Sequence, residues 1–201
     1  MAREGFSFVI VPLLIALIFG LLQIWWIAIL FIAIALFMAF FFRDPDRKIP
    51  EDADVIVSAC DGRVTRIEEN ENGKLISVFL SPLDVYINRA PIAGRVKKVI
   101  YKPGKKMPAT SEQASHLNER NSLIIENERI TVTCTQIAGI LARRIVCWKK
   151  PGDNLEKGER FGLIKFGSRT DVLMPSSVEI TVKVGDRVKG GETIIARLKN
   201  H

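Results

Sequence analysis

Leu163-Ile164-Lys165-Phe166-Gly167-Ser168-Arg169-Thr170-Asp171 is the stretch on which the reading of this chain turns. An apolar, strand-like run reaches a Gly-Ser pair, with a Gly-rich approach before it and alternating hydrophobics after it. Downstream, residues 178–184 and 193–198 alternate as two arms of a hairpin around Gly185-Asp186-Arg187-Val188-Lys189-Gly190-Gly191. That turn is similar to those of lipoyl- and biotinyl-type sandwiches, and so, more loosely, is Asp61-Gly62-Arg63-Val64. No Met-Lys-Met-like tip is there to carry a prosthetic group.

Working back toward the N-terminus, β-rich runs at 55–58, 62–67, 75–80, 92–101, 122–125, 130–136 and 162–166 are divided by turn signals such as Asp61-Gly62 and Asn70-Glu71-Asn72-Gly73. Residues 109–120 are expected to hold a short helix, and 136–146 reads as partly helical. The expected class is mostly β, a sandwich or barrel-like sheet with lipoyl-like hairpin elements and short helices.

Residues 6–42 carry no charge. As one helix they would be about 55 Å long, too long for a hydrocarbon core of about 30 Å, whereas two helices reversing near Gly20, Gln23 and Trp25-Trp26 fit. The flanking cations, Arg3 on one side and Arg43, Arg47 and Lys48 on the other, then lie together, which predicts a transmembrane hairpin with both ends in the cytoplasm. A cleavable signal peptide fits poorly, because the apolar run is too long and lacks a small-residue cleavage site. The expected organisation is an anchor over 1–42, a Pro-punctuated linker over 43–53 and a soluble domain over 54–201. The expected location is the cell membrane, with that domain on the cytoplasmic side.

The net charge of +7 falls on the soluble part and favours anionic lipid as partner. Nucleic acid is not expected, since zinc-ligand spacing, an aromatic RNA-binding signature and a basic helix are all missing. Cys60, Cys134 and Cys147 have no CxxC spacing and read as reduced core thiols. With only His116 and His201 as histidines, no metal site can be assembled.

Read alone, Gly167-Ser168 suits an ordinary turn. It also suits self-cleavage: glycine leaves its carbonyl open to attack, and attack by the Ser168 hydroxyl turns the amide into an ester. Elimination then gives dehydroalanine, and hydrolysis gives a pyruvoyl group.

Six motifs in order tip the balance. They are Phe41-Phe42-Arg43-Asp44-Pro45-Asp46-Arg47, Asp61-Gly62, the run from Phe79-Leu80-Ser81-Pro82 through Asp84-Val85-Tyr86-Ile87-Asn88-Arg89-Ala90-Pro91, Asn118-Glu119-Arg120-Asn121, Gln136-Ile137-Ala138-Gly139, and Phe161-Gly162-Leu163 running on to Gly167-Ser168. Together they resemble the short, membrane-associated phosphatidylserine decarboxylase proenzymes, archaetidylserine decarboxylases included, over nearly the whole chain.

The resemblance implies self-cleavage between Gly167 and Ser168 into a β chain (1–167) and an α chain (168–201) that stay associated, with further oligomerisation open. The cofactor is then a pyruvoyl group derived from Ser168, with no metal and no external cofactor. The substrate is a serine-headgroup lipid, decarboxylated to the ethanolamine lipid through a Schiff base. Asp61 matches the family's aspartate of the Asp-Gly motif. Many relatives carry histidine where this chain has Tyr86, and a phenol with an ordinary pKa of about 10 is a poor base at neutral pH.

Three sources of the base stay open: Tyr86 with a shifted pKa or a proton relay, His116, or slow strain-driven maturation. Arg89 and Arg95 are the candidates for the headgroup phosphate or carboxylate. The alternative is an inactive or structural membrane-anchored lipoyl-like β domain that binds anionic lipid.

Overall fold

The computed structural model describes residues 3–71, 73–105, 107–108, 117–140, 145–164 and 168–199. The chain forms two compact units, Met1–Asp46 and Arg47–His201.

In the first unit a short 3-10 turn, Arg3–Gly5, leads into α1 (Phe6–Leu21), and α2 (Trp25–Phe41) follows a tight reversal at Gln23, whose φ is 60°. Phe8 stacks on Phe42 and Phe19 on Phe31, so the helices run antiparallel. Ala16, Ala28 and Ala35 are buried within them, with Phe41 at the end of α2, and the small alanines let the backbones approach closely. Most of the larger apolar side chains point outward, from Ile10 and Leu14 to Trp25 and Trp26.

The two-helix part of the expectation is present and the transmembrane part finds no support. The helices have 16 and 17 residues, about 24 and 26 Å of rise, and no helix among the described residues is long and apolar enough to cross a membrane. The uncharged run of 6–42 gives up residues 22–24 to the reversal, which shortens both arms.

The second unit is almost entirely β. Its strands are β1 (Val55–Val57), β2 (Gly62–Asn70), β3 (Gly73–Leu80), β4 (Ile87–Arg89), β5 (Gly94–Lys102), β6 (Arg120–Glu126) and β7 (Thr131–Ala138). They continue as β8 (Ile145–Cys147), β9 (Asn154–Leu155), β10 (Arg160–Ile164), β11 (Ser168–Met174), β12 (Val178–Ile180), β13 (Arg187–Val188) and β14 (Ile194–Leu198). All pair antiparallel, in an eight-stranded sheet of order β13-β2-β3-β11-β7-β6-β5-β9 and two three-stranded sheets, β4-β10-β8 and β1-β14-β12.

Alternation explains the core. Ile76, Val78 and Leu80 on β3, Val172 on β11, Val132 and Cys134 on β7, and Leu123 and Ile125 on β6 lie on one face of the large sheet and are essentially inaccessible. The expected hairpin of 178–184 with 193–198 appears as the pairing of β12 with β14, and the turn between them lends β13 to the edge of the large sheet.

One expectation needs revising. Residues 136–138 close β7 and residues 145–147 form β8, so 136–146 is not helical where described, and 141–144 lie outside the described residues. Of the short helix expected over 109–120, residues 109–116 lie outside them; Leu117 is helical, and Arg120 begins β6.

Candidate active site

Ser168 is the first residue of β11, a strand paired on both sides. It sits opposite Leu80 on β3 and Ala138 on β7, with no exposure to solvent. Its Oγ is buried and has no hydrogen-bond partner among the described residues. Buried hydroxyls are normally satisfied, so this one stands ready for another use. Gly167, the other half of the expected cleavage site, lies outside the described residues, as does His116.

The chain reaches Ser168 by crossing between sheets, from the end of β10 to the head of β11. Ile164, the last described residue before the crossing, packs against Ala138 and Ile145, and its N–H donates to the Tyr86 carbonyl at 3.3 Å. Tyr86 is therefore buried beside the strand that delivers the Gly-Ser pair. The turn before it is closed by Ser81, whose N–H and Oγ donate to Asp84 Oδ2 at 2.8 and 2.7 Å.

Asp61 immediately precedes Gly62, whose φ of 149° and near contact with the Phe79 carbonyl leave no room for a side chain. The register runs Arg63 to Phe79 to Arg169. Asp61 thus lies at the same end of the sheet as Ser168 and two strands away, about 10 Å. Its carboxylate takes Arg47 Nη2 on both oxygens, at 2.9 and 2.8 Å, and the Gly190 N–H at 2.8 Å. Three donated contacts fix the direction of the carboxylate.

The two headgroup candidates part company. Arg89 is buried and donates to the Gly158 carbonyl at 3.1 Å, next to the β4 strand it ends. Arg95 pairs with Glu126 at the far end of the sheet, about seven residues along the strands from the Ser168 end, or roughly 23 Å. There it faces an open cavity of about 540 Å³ with Asn127, Glu128 and Arg129. The structure does not bring Arg95 together with Ser168, Asp61 and Tyr86.

The side of β11 that bears Ser168 also bears Thr170, and the opposite side bears Arg169 and Asp171, paired at 2.9 Å. Burial pushes the Asp171 carboxyl above its usual range, opposed by Arg169, Ser77 and Arg66. Burial likewise pushes the Cys60 and Cys134 thiols far up, with a hydrogen bond from Thr170 the main opposing contact at Cys60. All three cysteines are free thiols.

Residues not singled out from the sequence complete the site: Arg47 as the partner of Asp61, and a buried row of Asn88, Thr170, Gln136 and Asn121. Polar residues at alternate positions of otherwise apolar strands were the available signal. Their convergence depends on strand order, which spacing does not give.

Among known proteins, the family model described as phosphatidylserine decarboxylase matches residues 34–196. The phosphatidylserine decarboxylase proenzyme of Carboxydothermus hydrogenoformans is 46% identical over 207 residues, covering 99% of this chain and 97% of the relative. That of Geotalea uraniireducens is 42% identical, with 98% and 96% covered. The proenzyme of Solibacter usitatus is 49% identical over 170 residues, with 85% and 83% covered. A family match over most of the chain, with relatives 42–49% identical over 85–99% of it, makes this protein a carboxy-lyase: it belongs to the phosphatidylserine decarboxylase family.

Proposed function

We propose that the chain cuts itself between Gly167 and Ser168 and then decarboxylates a serine-headgroup lipid at the membrane surface. The observation that carries this is the Ser168 hydroxyl, fully buried at the head of a central strand and without a partner among the described residues. Attack by Oγ on the Gly167 carbonyl moves the acyl group from nitrogen to oxygen. Loss of the Ser168 Cα proton then expels the Gly167 carboxylate, and water replaces the resulting enamine nitrogen, releasing ammonia and leaving a ketone. The apolar neighbours Leu80 and Ala138 suit such a group, because they exclude water around it.

The pyruvoyl ketone would supply an electron sink that takes up the electron pair as carbon dioxide leaves. The chain's own residues do the rest. Asp61, held by Arg47 and the Gly190 N–H, presents an oriented carboxyl group at the same end of the sheet. Tyr86 lines the crossing strand. Pairing of β11 with β3 and β7, and of β14 with β1, keeps residues 168–201 attached to residues 1–167 after the cut.

The reading extends to the helical hairpin. Its outward apolar faces, carrying Trp25 and Trp26 next to the reversal, suit burial in a lipid layer from the cytoplasmic side as a re-entrant hairpin. The substrate is then phosphatidylserine or its ether-linked counterpart archaetidylserine, whose reacting headgroup is the same.

Intact mass under denaturing conditions tests the proposal. Two chains, 1–167 and 168–201, are expected, the smaller lighter by one ammonia than a peptide starting with serine. Ser168→Ala should give one uncut chain without activity. A single uncut wild-type chain would sink the reading and favour a lipid-binding relative without catalysis.

A further inference from the structure

Thr170 lies two residues from Ser168 on the same face of β11, and neither is exposed to solvent. Opposite Thr170 on β7 is Gln136, and opposite Gln136 on β6 is Asn121, so one polar row crosses three strands of an otherwise aliphatic face. Asn88, on β4 of the second sheet, reaches into that row. Asn121 Nδ2 donates to Gln136 Oε1 at 3.0 Å, Gln136 Nε2 to Asn88 Oδ1 at 2.9 Å, and Asn88 Nδ2 to Thr170 Oγ1 at 3.0 Å. All four residues are at most 3% exposed.

Such a chain is costly in an apolar interior unless every link is made, and when made it selects one arrangement of the strands that share it. β10 accommodates it by omission: a side chain at Gly162 would stand 3.0 Å from Gln136 Nε2 and 2.3 Å from the Val146 carbonyl. The contrast along β11 is informative. Thr170 is tied to the other sheet, while the Ser168 hydroxyl, one strand repeat away, has no partner among the described residues.

We infer that Asn88 is a positioning residue: acting through Thr170, it holds the head of β11 against β4 and so fixes Ser168 for reaction. The inference rests on the self-cleavage reading above and goes beyond it. Asn88 belongs to residues 1–167 and Thr170 to residues 168–201, so their hydrogen bond crosses the cut. It anchors the new chain start two residues from its end, where only strand pairing would otherwise restrain the ketone.

Thr170→Val removes the hydroxyl at nearly constant shape, Thr170→Ser restores it, and Asn88→Ala removes the donor. Each is made in the full chain, checked for a cooperative thermal transition, and followed for the rate of splitting. Activity of the split material is then measured on detergent micelles containing phosphatidylserine. T170V and N88A are expected to slow splitting at least about tenfold, with the double variant no slower than the slower single one. T170S should recover most of the loss. In split material kcat should fall while KM stays within about twofold, because the reacting group is displaced and the lipid contacts are not.

If wild type splits while T170V and N88A match it in splitting rate and kcat, the clamp is refuted and self-cleavage stands. If wild type does not split, both fall. Should N88A fail to fold, T170V against T170S decides the matter alone: equal rates in that pair would overturn the inference.

Discussion

Arg47→Met isolates the contact that holds Asp61. Methionine keeps much of the apolar stem and removes the guanidinium, leaving the carboxylate with the Gly190 N–H alone. The two side chains are 5% and 15% exposed, so water replaces little of what is lost. Breaking a buried pair from one side costs about 3–5 kcal/mol. The retained backbone donor and the partial exposure of Asp61 lower this to about 2–3 kcal/mol, close to the worth of a hydrogen bond to a charged group. In a protein of 201 residues, each kcal/mol moves the unfolding midpoint by roughly 2–4 °C, so a fall of roughly 4–12 °C is expected. Thermal unfolding of wild type, R47M, D61N and the double variant in one detergent closes a cycle. D61N strands the buried guanidinium and should also destabilise, and the double variant should be less damaged than the sum by about 1 kcal/mol or more. A midpoint for R47M within about 1 °C of wild type, or strict additivity, would refute the reasoning.

Gly162→Ala forces a methyl group against the Val146 carbonyl and the Gln136 amide, so a loss of about 1–3 kcal/mol is expected in the same thermal assay; an unchanged midpoint would show that β10 has slack. With an alkylating reagent at about pH 8, Cys60 and Cys134 should stay unmodified in folded protein and react on unfolding, since burial holds both thiols protonated; modification counted by mass before unfolding would contradict their placement. Asp171 titrates near 3.8 when unfolded and higher when folded, so the native state binds more protons between those values. Its contribution to stability is therefore full below 3.8 and lost as pH rises through the folded value. The stability of wild type relative to D171N should fall as pH rises above 3.8, and a relative stability that rises there would reverse the assignment.

Most of the sheet could be read from alternation, because β2, β3, β6 and β7 bury much of one face and leave the other partly wet, while β5 buries only Val96. The strand that matters most was not found that way. β11 reads Ser-Arg-Thr-Asp-Val-Leu-Met, and its Arg169 and Asp171 look like a solvated turn until they are seen to neutralise each other in the interior. The same blindness hid the amide row: Asn88 and Gln136 lie in motifs 48 residues apart, and only β4 packing over β7 makes them neighbours. Residues 136–146 suggested a helix because Gln-Ile-Ala and Ile-Leu-Ala carry helix-forming residues, yet pairing of 136–138 with β6 and β11 outweighs that local preference. Ser168 and Asp61 were identifiable as residues, whereas the Arg47 contact joins a linker residue to a turn and leaves no mark in periodicity.

The position of β11 between β3 and β7 also fixes an order of events during synthesis. A ribosome delivers every strand from β1 to β10 before residue 168 exists. Until then β3 and β7 are two bare edges facing a gap one strand wide, with their N–H and C=O groups unpaired. The large sheet closes only when the late-made strand slides into that gap, and the same step carries the Ser168 hydroxyl out of water. The nucleophile therefore gains its buried setting only after β3 and β7 have been made, whereas β13 and β14, which pair with β2 and β1 and help to hold the cut chain, are made later still.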